Sequence, residues 1–170
     1  MSPSRALFLS LGALGVLGYL GLVFLVSVTS LERTLPAGAP LRFCGLYLDC
    51  HLSASVEEAR TTPLPGGGVR YTVTVRFASD ARRATLTLDR PDARLVDDRG
   101  ISIGSMAGPR AMVLAPDTSV SADYVFDAPG PLENPRLLVR KGGFLERLTE
   151  LFLVGDPDSF LHQPVTLALR

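Results

Sequence analysis

The chain has 170 residues, with 17 Lys+Arg against 17 Asp+Glu, 46% hydrophobic residues and two cysteines. That length holds one domain of ordinary size and a short extra segment, and argues against a two-domain enzyme. Zero net charge with no acidic or basic tail removes the clustered Lys/Arg by which proteins neutralise phosphates, so nucleic acid is not an expected partner.

From Ala6 to Leu31 the chain runs 26 residues without a charge. As a helix rising ~1.5 Å per residue, such a run slightly exceeds a hydrocarbon core of ~30 Å, so residues 1–31 are expected to form a transmembrane anchor. The rival reading is a cleaved signal peptide. Its apolar region is shorter, and the A-x-A of Ala37-Gly38-Ala39 is followed by Pro40, a poor residue after a cleavage point. Gly12, Gly15, Gly18 and Gly21 recur every three residues and predict a face on which another helix can pack closely. Their bland reading is that glycine is simply common in membrane helices. The size and β character of the remaining chain place the N-terminus in the cytoplasm of a bacterial inner membrane, with the rest periplasmic or extracellular.

Residues 32–41, with Pro36, Gly38 and Pro40, read as a short stiff linker to a domain spanning 42–170. In Val69 to Phe77, Val69, Tyr71, Val73, Val75 and Phe77 alternate with Arg70, Thr72, Thr74 and Arg76, the pattern of a half-buried strand. The run Gly66-Gly67-Gly68 before it reads as a hairpin loop. Ala84 to Leu88 repeats the alternation, and Arg94 to Val96 and Ile101 to Ile103 flank an Asp97-Asp98-Arg99-Gly100 turn. Further strands are expected at Ala111 to Leu114, Val120 to Phe126, Pro135 to Arg140 and Val165 to Leu169. Gly143 to Val154 places Phe144, Leu145, Leu148, Leu151 and Phe152 on one stripe and predicts a short amphipathic helix stopped by Gly155. Many short strands with Pro/Gly turns imply an antiparallel β-sandwich.

The strand ending in Phe77, the turn Leu95 to Gly100, the stretch Leu114-Ala115-Pro116-Asp117-Thr118-Ser119-Val120 and the later Val125-Phe126-Asp127-Ala128-Pro129 carry a resemblance. Together they resemble bacterial membrane-anchored extracytoplasmic immunoglobulin-like domains of unknown function. The likeness covers Val69 to Val139 and departs from the pattern at Asp117, where glycine is usual, and at Ala128, where an aliphatic residue is usual. It implies an immunoglobulin-like sandwich and a cell-surface location, and it carries over no reaction.

The densest chemistry lies in Phe43-Cys44-Gly45-Leu46-Tyr47-Leu48-Asp49-Cys50-His51. In a straight strand Cys44 and Cys50 would stand about 20 Å apart, so they can bridge only if the segment turns, which Gly45 permits. One disulfide is the simplest expectation for an exported domain. The alternatives are a free or buried thiol pair, or a zinc or copper site drawing on Cys44, Cys50, His51 and His162 or Met106, although the spacing matches no standard metal signature. No G-x-S-x-G elbow occurs, and the adjacent pair Glu57-Glu58 should point to opposite faces of a strand. The expectation is therefore a non-catalytic protein without cofactor, whose partners are the membrane and other membrane-protein subunits.

Overall fold

A computed structural model describes residues 3–29, 32–43, 50–142 and 165–169, with the side chains of the opening helix described at 10–22, 24–26, 28 and 29. The elements are a helix, α1 (Pro3–Thr29), and strands β1 (Arg33–Leu35), β2 (Leu41–Phe43), β3 (Leu52–Pro63), β4 (Val69–Ser79), β5 (Leu86–Asp89), β6 (Asp92–Val96), β7 (Ser102–Gly104), β8 (Ala111–Leu114), β9 (Ser119–Ala128), β10 (Arg136–Arg140) and β11 (Val165–Ala168). The amphipathic stretch from Gly143 to Val154 falls outside the described residues.

Two sheets face each other. One runs in the order β1-β11-β10-β6-β7, the other β2-β3-β4-β9, and a β5-β8 ribbon lies alongside them. All pairings among the described strands are antiparallel except β1 on β11. The alternation read in β4 has the expected result: Tyr71, Val73, Val75 and Phe77 are buried and meet Tyr124 and Phe126 of β9 and Leu95, Leu137 and Leu167 of the opposite sheet. At roughly 1.5–3 kcal/mol per fully buried large apolar side chain, this layer is the main source of stability.

The strand β3 departs from simple alternation. Leu52, Ala54 and Val56 face the core, but the pairing with β4 shifts register between Val56 and Glu58, so that Ala59 and Thr61 continue the inward row. The extra residue is Glu57. It leaves both Glu57 and Glu58 on the outer face, where Glu57 accepts a hydrogen bond from Ser121 Oγ at 2.6 Å and Glu58 pairs with Arg60. The expectation that these neighbours point to opposite faces is corrected, because a β-bulge breaks the two-residue period.

The expected membrane span is also corrected. The opening segment is helical, but no helix among the described residues is long and apolar enough to cross a membrane.

Candidate interaction surfaces

Most described side chains of α1 are apolar and open. Leu14 is 73% exposed, Phe24 70% and Leu17 67%. Gly12, Gly15, Gly18 and Gly21 have nothing within 4 Å of where a Cβ would stand. At about 100° per residue, glycines three apart step around half of the helix and do not form a single ridge.

A second surface is a cleft of about 610 Å³ at one end of the sandwich. Its floor is Val69 and Tyr71 of β4, one wall is Ala59 and Thr61 of β3, and the opposite wall is Leu132, Arg136 and Leu169. The residues that β3 contributes here beyond the bulge, Ala59 and Thr61, are small. Tyr71 is 5% exposed, and its hydroxyl accepts a hydrogen bond from the Leu132 amide at 2.8 Å. The Arg136 guanidinium reaches Glu32 at 3.2 Å and Asp98 at 2.9 Å, while its Nε is buried with no acceptor among the described residues.

The cysteine-histidine corner has a different character from a metal centre. Cys50 is disulfide-bonded, so its sulfur is not a free thiolate, and Cys44 and His162 lie outside the described residues. His51 Nδ1 stands 3.0 Å from Asp80 Oδ1, and Arg42 approaches the same carboxylate at 3.8 Å. Met106 is exposed on a loop, with its amide donating to the Val125 carbonyl at 2.8 Å. Among the described residues no group of three His, Cys, Asp or Glu side chains is arranged to hold a metal ion.

Three other carboxylates are held in hydrogen-bonded positions. Asp97 is 3% exposed and accepts hydrogen bonds from the Ile101 amide at 2.9 Å and the Arg99 amide at 3.0 Å, with the Arg99 Nε at 3.0 Å. Burial pushes against its charge, but the Ile101 and Arg99 hydrogen bonds outweigh it and hold the carboxyl below its usual range. Arg60 and Arg70 likewise hold Glu58 and Asp127 low, each through a two-pronged hydrogen bond. Nothing in the sequence marks the cleft, since Ala59 and Thr61 carry no pattern of their own and Leu132 lies in a Pro/Gly loop.

No protein-family model and no curated protein matches the chain. Among solved structures, an uncharacterized β-sandwich protein of Clostridium difficile 630 aligns with a TM-score of 0.46 at 6% identity, over 83% of this chain and 96% of that one. The secreted protein MPT63 of Mycobacterium tuberculosis aligns with a TM-score of 0.48 at 15% identity, over 67% of this chain and 93% of its own. Scores at this level carry no argument about function, and the sandwich stands on its own sheets and core.

Proposed function

We propose that this protein is a non-catalytic β-sandwich that acts by protein–protein contact, as an accessory subunit held in a larger assembly through α1. The observation that carries the reading is the open apolar surface of the helix, with Leu14, Leu17 and Phe24 each two-thirds exposed or more. Surfaces of this kind are rare on free-standing proteins and mark contact sites. Helices of partner subunits are the occupant, since a mostly apolar helix is stable when other protein surrounds it.

Two further observations support the setting. A disulfide at Cys50 suits an oxidising compartment, outside the cytoplasm. The neighbour relations β3-β4-β9 in one sheet and β11-β10-β6 in the other correspond to the A-B-E and G-F-C relations of immunoglobulin-like sandwiches, which supports that connectivity. Gentle detergent extraction from native membranes, followed by size analysis and identification of co-purifying chains, tests the proposal. A large particle with defined partners is expected, reduced to a small one when Leu14 and Leu17 are replaced by Asp. Migration of the unaltered chain as a monomer bound only to lipid or detergent overturns the reading.

A further inference from the structure

The second surface, on the sandwich itself, takes a different partner. β2 pairs with β3 only across Leu41↔Ala54, Arg42↔Ser53 and Phe43↔Leu52. Pro40 precedes Leu41 and has no amide hydrogen to donate, so the β2 ladder stops there. Beyond Ala54, no described strand pairs with the side of β3 turned away from β4. An edge of this kind presents a row of backbone donors and acceptors.

Two features bracket the usable length. The bulge at Glu57 ends regular geometry on one side, and Pro63 ends it on the other, leaving residues 58–62. At ~3.3 Å per residue this accommodates a guest strand of about five residues. Its outward side chains would lie beside the exposed Glu58–Arg60 pair. Its inward side chains would enter the cleft beside Ala59 and Thr61, which are too small to fill it, and meet Val69, Tyr71 and Leu169. Arg136 lines the same cleft, and its buried Nε has no acceptor among the described residues.

We propose that the β3 edge and its cleft bind an extended peptide segment of a partner protein, added as a further strand with apolar side chains at every second position. A second copy of this chain is the less suitable occupant, because its own β3 would offer Ala59 and Thr61 to a space that large side chains fill. The proposal rests on the wider reading of contact function but does not involve α1, so either can fail alone.

The test uses the full chain in mild detergent and two fluorescent seven-residue peptides in which valine alternates with threonine. One is unmodified, and the other carries N-methyl groups on alternate peptide bonds along its pairing edge. Saturable binding of the unmodified probe is expected, with N-methylation weakening it at least tenfold. Ala59→Trp, which fills the cleft, should weaken it by a similar factor. Should that variant fail to fold, Thr61→Trp provides the same obstruction, and the N-methyl comparison needs no variant at all. Absence of saturable binding up to millimolar peptide, equal binding of both probes, or a dimer dissociated by Ala59→Trp overturns the proposal.

Discussion

The Leu132 amide donates a 2.8 Å hydrogen bond to the Tyr71 hydroxyl, joining the start of β4 to the loop that leads into β10. This contact fixes one wall of the cleft relative to its floor. In Tyr71→Phe the ring still fills its place, but the Leu132 amide loses its acceptor in a half-buried position. An unsatisfied buried donor costs roughly 1–3 kcal/mol. The midpoint of urea unfolding should fall by a corresponding amount with the slope unchanged, and peptide binding at the β3 edge should weaken as the wall loosens. An unchanged midpoint would show that water replaces the phenol at no cost.

Three of the described carboxylates contribute to acid stability. Asp97, Asp127 and Glu58 are held below their usual range in the folded chain, so the unfolded chain takes up protons first as the pH falls. Their stabilisation is complete above about pH 5 and is lost progressively below about pH 4, as the medium passes the unfolded values and approaches the folded ones. Asp97→Asn should flatten this acid limb by removing one of the three contributions, at the cost of lower stability at neutral pH. At the alkaline end the direction reverses: burial, with a smaller contribution from Asp92, pushes the Tyr124 phenol well above its usual value. The unfolded chain then releases its proton first, and stability should decline as the pH rises above about 10. Thermal unfolding between pH 2 and 11 reads both limbs, and a curve flat below pH 4 would contradict the first.

How far the sequence revealed this fold depended on whether a strand kept its period. β4 alternates over its whole length because β3 and β9 flank it without a bulge on its side, so Val69 to Phe77 was legible residue by residue. The neighbouring β3 was not, because Glu57 inserts one residue and reverses the alternation midway, leaving Leu-Ser-Ala-Ser-Val and Ala-Arg-Thr as two fragments out of phase. β1 was hidden for another reason: three residues beside two prolines resemble a linker, and their strand character comes from pairing with β11, 132 residues away at Thr34↔Thr166. The cleft depends on both of these obscured strands, so the chemistry-bearing residues that stood out in the sequence, Cys50 and His51, led to a different corner of the molecule.

Gly108 supplies a packing prediction. A Cβ at this position would lie 2.8 Å from the Tyr124 ring, which is fully buried and held by its hydroxyl's hydrogen bond to the Pro91 carbonyl at 3.3 Å. The ring is enclosed on all sides, and the bridge between Ala107 and Val125 ties the adjoining backbone to β9. Gly108→Ala should therefore cost about 1–3 kcal/mol, as overpacking typically does. Gly104→Ala is the control, since nothing lies within 4 Å of its Cβ position, and it should change stability by no more than about 0.5 kcal/mol. Equal effects from the two substitutions would show that backbone freedom, and not the tyrosine ring, governs the site.

The disulfide at Cys50 supplies the last prediction. The only other cysteine is Cys44, so an intrachain bond must join these two and close a loop of about seven residues. Phe43 and Leu52 are already paired across β2 and β3, so the folded state keeps the ends of this loop close without the sulfurs. The bond therefore acts mainly on the unfolded chain, and for a loop this short the entropic contribution is about 2 kcal/mol. Cys50→Ser, or treatment with reductant, should lower stability by that amount while leaving the β2–β3 pairing and peptide binding at the far end of β3 in place. Peptide mapping under non-reducing conditions should recover a Cys44–Cys50 crosslinked fragment from monomeric chain. A crosslink between two chains would instead make this corner an oligomer contact, with the His51–Asp80–Arg42 cluster beside it as part of the interface.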